Sequence, residues 1–165
     1  MGMESKAQIA LVPPLDRRQS ETALAVARGT ARWLRAMGFS CLGEVSLPSG
    51  RRADLVAIGR SGEIWIVEIK SSVADFRADQ KWMDYRMHCD RLFFATTIEV
   101  PCEIFPEDTG LIVADGFGGE IVCEAPEHRL PAPTRKVMTL RIAQCAALRL
   151  QSLIDPAGPY RNEMG

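Results

Sequence analysis

The residues between 51 and 71 constrain this chain most, because one short turn fixes the register of everything on either side of it. Arg51 to Gly59 and Glu63 to Ser71 both alternate as half-buried strands do and are rich in β-branched residues. Between them lies Arg60-Ser61-Gly62, a three-residue hairpin loop with glycine at the left-handed position, where a side chain is costly. That loop pairs Gly59 with Glu63, so Asp54 falls opposite Glu68 and Arg52 opposite Lys70. Directly opposed residues share a face, with β-carbons about 4.5–5.5 Å apart. A slip of one residue would send Asp54 to the other side of the sheet.

Two carboxylates held so close repel, by an upper-end figure of roughly 4 kcal/mol at ~4 Å and an effective dielectric of ~20. A fold seldom keeps this without a counter-charge. Lys70 supplies part of it, and a divalent cation would supply the rest. The plainer alternative is an exposed strand face bearing a cross-strand Lys–Glu ion pair. Against that, Ile64 and Ile66 share the Glu68 face, so the charges interrupt a surface that is otherwise apolar.

Around the hairpin, Ser20 caps a predicted helix running to about Met37, with Leu24, Ala27, Ala31 and Leu34 on one face and Gly38 as its stop. Cys41 to Leu47 reads as a first strand. Ser72-Val73-Ala74-Asp75 resembles a capping box opening a helix to about Met87. Leu92 to Thr96 is a short strand, Pro101 to Asp108 a loop or short helix, and Gly110–Ala114 with Glu120–Glu124 a second hairpin. Thr134 to Ile154 closes the chain as a long helix. Residues 1–18 and 156–165 read as tails on one α/β domain, 19–155, with a mixed β-sheet flanked by helices.

Composition limits the chemistry. The chain carries 20 basic and 21 acidic groups, which excludes attachment to nucleic acid by bulk charge. The surplus is uneven, with residues 1–92 net positive and residues 93–165 net negative, and arginine predominates among the cations. The 5 cysteines are too far apart for a CxxC zinc or redox pair, and their odd number without an apolar leader predicts free thiols in a reducing cytoplasm. No apolar run reaches the ~20 residues that span a membrane. With only 2 histidines, any metal site must rest on carboxylates and so favours a hard ion such as Mg2+ or Mn2+.

Ala53-Asp54 followed by Glu68-Ile69-Lys70 resembles the PD-(D/E)xK signature of the restriction-endonuclease-like nuclease superfamily. The order of helix, three strands, helix and strand resembles its core. More closely, Arg51-Arg52-Ala53-Asp54-Leu55, Val67-Glu68-Ile69-Lys70-Ser71-Ser72 and Asp75-Phe76-Arg77-Ala78-Asp79-Gln80-Lys81-Trp82 resemble the MmcB family of bacterial DNA repair proteins, over about residues 20–155. The departure is Ala53, which stands where the signature has proline.

The resemblance implies a DNA-repair-associated, divalent-metal-dependent nuclease. Asp54, Glu68 and the carbonyl of Ile69 would be its metal ligands, and Lys70 would position water or offset phosphate charge. It also implies a further glutamate, for which Glu21 at the start of the first helix and Glu44 on the first strand are rivals. An acid in a first helical turn also simply suits the helix dipole. Gln80 joins the expected site residues, because Val73, Phe76, Gln80, Met83 and Met87 follow helical spacing and an amide in an apolar stripe needs partners. Arg51, Arg52, Lys81 and Tyr85 are candidate DNA contacts; Trp65 and Trp82 read as core. The alternative is a catalytically inactive module that binds DNA structures or a repair partner. DNA, branched or damaged, is the expected partner, RNA stays open as a substrate, and the oligomeric state is undetermined.

Overall fold

The structure, a computed structural model, describes residues 20–158, so the expected tail over 1–18 and most of that over 156–165 lie outside the described residues. Helix α1, Glu21–Ala36, begins as its cap predicts: Ser20 Oγ accepts the Ala23 N–H at 3.1 Å. It ends at Met37, with Gly38 following at φ +92°. Its buried stripe is Ala23, Val26, Gly29, Thr30 and Leu34. That stripe is turned slightly from the expected one, and Leu24, Ala27 and Ala31 flank it half-buried.

Six strands form one mixed sheet in chain order: β1 Ser40–Ser46, β2 Arg52–Ile58, β3 Ile64–Ile69, β4 Arg91–Thr96, β5 Gly110–Ala114 and β6 Gly119–Cys123. β1–β2, β2–β3 and β5–β6 run antiparallel, while β3–β4 and β4–β5 run parallel. The α/β class and the mixed sheet are therefore as expected. All six residues of β3 are buried, because helical elements cover both faces of the centre.

Alternation along the strands sorts the core into layers. Leu55, Ala57, Trp65, Val67, Ile69, Phe93 and Ile112 meet α1 on one face. Val56, Ile64, Ile66 and Leu92 meet Tyr85, Cys89 and Met138 on the other. Trp65 lies between Phe39 and Phe93, with ring centroids 4.4 and 4.8 Å away, and is core as expected. Trp82 stands edge-on to Phe94. At Gly29 α1 lies against the turn between β5 and β6 so tightly that a β-carbon would stand 1.8 Å from the Asp115 carbonyl oxygen.

The expected helix from Ser72 to Met87 is broken in two. α2 spans only Val73–Ala78, and a 3-10 segment follows over Trp82–His88. The break has a local cause. Asp79 Oδ1 accepts the Lys81 N–H at 2.9 Å, an Asx-type turn that competes with the helical bond. The three-residue period beyond it sets Trp82, Tyr85 and His88 on one side and leaves Met83 and Met87 exposed. The apolar stripe through Gln80 therefore does not exist. Gln80 is exposed, and its amide donates to the Arg77 carbonyl at 3.3 Å.

Helix α3, Ala132–Ile154, starts slightly earlier than expected, with Pro133 in its first turn. It is fastened by Asp90, a buried residue that no sequence pattern marks. The Asp90 carboxylate accepts main-chain N–H groups of Ile64 at 2.7 Å and Leu130 at 2.9 Å. It also takes both terminal nitrogens of Arg135, at 2.7 and 2.6 Å.

Candidate functional site

The hairpin carries the expected register. Leu55 faces Val67, Val56 faces Ile66, Ala57 faces Trp65, and Gly62 sits at φ +84°. Continued one step, this register opposes Asp54 and Glu68. There the paired main chains end and the carboxylates take over their hydrogen bonds. Asp54 Oδ2 accepts the Ile69 N–H at 2.8 Å, and Glu68 Oε1 accepts the Asp54 N–H at 3.2 Å. Each carboxylate spends one oxygen this way and, among the described residues, keeps another.

On the other flank of β2, Gly43 faces Leu55 and Val45 faces Ala53, so Glu44 stands at the level of Asp54. Glu44 has a left-handed backbone, φ +52°, and its carbonyl accepts Arg149 Nη2 at 2.6 Å. Its carboxylate meets Arg52 Nε at 2.5 Å. Three acids from three adjacent strands thus stand in one row across the sheet. Of the rivals for a third acid, Glu44 comes beside Asp54, while Glu21 is exposed on α1. Neither lines the cleft, a space of about 320 Å³ bounded by Asp54, Glu68, Ile69, Lys70, Asp79 and Tyr85, with Ser20 and Ala23 of α1 at its rim.

Lys70, just beyond β3, is buried. Its N–H donates to the Ala95 carbonyl of β4 at 2.9 Å, and its carbonyl accepts Thr96 Oγ1 at 2.6 Å. The strand has left β2 by this point, so Arg52 does not pair across with Lys70 as expected, although both border the cleft. Lys70 Nζ donates instead to Asp79 Oδ2 at 2.6 Å. Asp79 and Asp75 are the residues sequence reasoning missed. Asp75 lies in the anticipated capping motif, and Ser72 Oγ accepts its N–H at 3.1 Å. Its carboxylate takes the Ser71 N–H at 2.9 Å rather than that of Ser72.

Burial dominates the electrostatics. Desolvation raises Asp54 to about 6, although the Ile69 N–H and the Lys70 charge pull the other way. Glu68 is raised well above the usual carboxylate range, first by desolvation and then by the Asp54 charge. Desolvation would lower Lys70, but its hydrogen bond and ion pair with Asp79 hold it above the ordinary lysine value. Asp79 is lowered: burial pushes it up, and Lys70 with the Lys81 N–H outweighs that.

The expected DNA contacts separate into two kinds. Arg51 Nε pairs with Asp84 at 3.0 Å, Arg52 is held by Glu44, and Lys81 is exposed. Tyr85 is largely buried, its ring in the core, and it lines the cleft, where its hydroxyl donates to the Arg52 carbonyl at 3.2 Å. Among the described residues no group of three or more His, Cys, Asp or Glu side chains is gathered tightly enough to hold a metal. What the cleft offers is a carboxylate pair, Asp54 and Glu68, with Ile69 beside them in the lining. Such an all-oxygen set fits a hard divalent ion that keeps several waters.

Fold and cleft together define a mixed-sheet α/β protein with opposed acids and a buried lysine at one end of its central strands. A family profile described as DNA repair protein MmcB-like matches residues 11–157, and the chain belongs to that family. A solved structure described as SPO1766, a protein of unknown function from Silicibacter pomeroyi, is similar: 45% identity, TM-score 0.82, over 88% of this chain and 99% of that one. No curated protein matches the chain. No helix among the described residues is long and apolar enough to cross a membrane.

Proposed function

We propose that this chain is a DNA-repair-associated nuclease of the PD-(D/E)xK type, which hydrolyses phosphodiester bonds with a divalent ion, Mg2+ or Mn2+. The observation that carries the reading is the opposition of Asp54 and Glu68 at a cleft, each with an oxygen that takes no hydrogen bond among the described residues, beside a charged Lys70. Folding alone gives little reason to keep two desolvated acids side by side.

In this reading Asp54, Glu68 and the Ile69 carbonyl hold the ion. When bound, it supplies the charge that polarises a phosphoryl oxygen and acidifies a water. The Ile69 and Asp54 N–H groups fix the two carboxylates in place beforehand, so little reorganisation is left for the reaction. Lys70, kept charged by Asp79, lowers the cost of bringing a phosphate near the acids. Arg51, Arg52 and Lys81 lie toward the same end of the sheet and meet the DNA backbone.

A second reading has its own observation. Every charged group of the cleft already has a structural partner, as an inactive DNA-binding module would require. The test is to titrate Mn2+ and Mg2+ while following thermal stability, then to assay branched, nicked and single-stranded DNA, with single-stranded RNA in parallel. Metal-dependent stabilisation and cleavage, both lost in Asp54→Asn, support the nuclease. Binding of DNA with neither leaves the module.

A further inference from the structure

The outward face of α3 calls for a partner, and it lies apart from the cleft. The inward face of the helix is Met138, Arg141, Ile142, Cys145, Arg149 and Ser152. Outward, Leu140, Ala143, Ala147, Leu150 and Ile154 repeat at three-and-four spacing, the seam pattern of paired helices. All five are exposed, Leu140 at 52%, Leu150 at 55% and Ile154 at 70%, and Val137 and Leu153 widen the stripe. Contiguous apolar surface of this extent is uncommon on a lone soluble protein.

We infer that this face pairs with the same face of a second copy of the chain, the two α3 helices running antiparallel about a two-fold axis at Ala147. Charge is the first argument. From Val137 to Ile154 the helix has no acidic residue. Its two arginines there are turned inward, Arg141 onto the Ser46 carbonyl and Arg149 onto those of Gly43 and Glu44. An uncharged face meets its own copy without like-charge repulsion. Lys136, exposed one turn before Leu140, borders it at one end, whereas an interfacial membrane helix carries a row of Lys and Arg along its polar face.

Self-complementarity is the second argument. About the axis at Ala147, Leu140 falls level with Ile154 of the second copy and small alanines occupy the centre, while Gln144 and Gln151, on one side of the seam, come within one residue (about 1.5 Å) of each other's level, near enough for the two amides to meet reciprocally. A two-fold interface demands this: the same patch matched against itself. Parallel pairing would set those amides beside Thr139 and Ala146 instead. Size is the third. The stripe spans about 27 Å at 1.5 Å per residue. With five large side chains about half exposed, it removes on the order of 500 Å² per copy from water, about 1,000 Å² in all, the lower bound for a specific interface.

Sedimentation equilibrium on the full chain, with far-UV circular dichroism on each variant, tests the pairing. The wild type is expected to be a dimer at about 100 µM, and Gln144→Glu/Gln151→Glu to weaken it at least about tenfold by setting acid against acid. Gln144→Glu/Gln151→Lys, which restores complementarity only in the antiparallel arrangement, is expected to dimerise at least as well as wild type. Ala147→Glu, with two carboxylates meeting on the axis, is a second disrupting variant. A wild-type monomer at that concentration overturns the inference, whether its face then binds anionic vesicles or nothing. So does a double-acid variant as dimeric as wild type, or a charge-swapped one that stays monomeric. None of these readouts depends on nuclease activity.

Discussion

Lys70 Nζ donates to Asp79 Oδ2 at 2.6 Å, which ties the end of β3 to the break that ends α2. The lysine side chain is 5% exposed and the aspartate 26%, so losing one partner strands a charge in a poor solvent. Asp79→Asn is therefore expected to destabilise the fold by about 1–3 kcal/mol. Lys70→Met added to it is expected to recover part of that loss. Denaturant melts of the two singles and the double read the coupling, and strict additivity would count against it.

Asp54→Asn is expected to behave in the opposite way. Asparagine keeps an oxygen for the Ile69 N–H and removes one of two facing charges. The metal-free protein should then be as stable as wild type or up to ~2 kcal/mol more so. Stabilisation by Mn2+ should vanish, because that gain follows RT ln(1 + [metal]/Kd) for a site that is gone. A clear fall in Tm together with an unchanged metal response would make Asp54 a structural residue.

The raised acids give the metal-free protein a pH dependence of definite sign. Asp54 holds its proton up to about 6 when folded, against 3.8 as the ordinary value. The folded state thus binds more protons than the unfolded one, and stability is fully present below the unfolded pKa. It falls as pH rises from about 4 through about 6, by at most about 1.4 kcal/mol per pH unit for each proton, with Glu68 extending the fall upward. Melts across pH should show a shallower slope in Asp54→Asn, and the Mn2+ response of wild type should grow over the same range.

Asp90→Ala is expected to cost about 3–5 kcal/mol, since it leaves Arg135 and two buried N–H groups without their acceptor. Asp90 is held below the ordinary carboxylate range: burial raises it, and Arg135 with the two N–H groups overcomes that. Chemical denaturation measures the loss.

Lys81→Ala is expected to reduce the magnitude of the slope of log affinity against log salt for DNA by about one, as one phosphate contact should. Arg51→Ala and Arg52→Ala are expected to do the same, alongside small structural effects from releasing Asp84 and Glu44. Slopes unchanged in all three would place any bound DNA elsewhere.

Much of this arrangement was legible because it is local. The Arg60-Ser61-Gly62 turn fixes the register, and the register carries Asp54 to Glu68 by counting alone. What escaped is of two kinds, a local side-chain turn that overrides a helical pattern and contacts between residues far apart in the chain. Asp79 stops α2 and holds Lys70, so a side-chain ion pair and a turn outweighed the helical pattern through Gln80. The 3-10 period after that break turns Tyr85 inward, its ring in the core and its side chain in the lining of the cleft. Asp90 meets Arg135 from 45 positions away. Glu44 gains its place only from the pairing of β1 with β2, and nothing in its neighbours announces a left-handed backbone.

Gly29 has a mechanical meaning. Where it lies on the Asp115 carbonyl, backbone rests on backbone, and no change of rotamer can ease or tighten such a contact. α1 and the turn after β5 are thus obliged to travel as one piece. The same helix carries Ser20 and Ala23 to the rim of the cleft. A hairpin outside the cleft's lining is thereby seated directly against the helix whose first turn forms the rim.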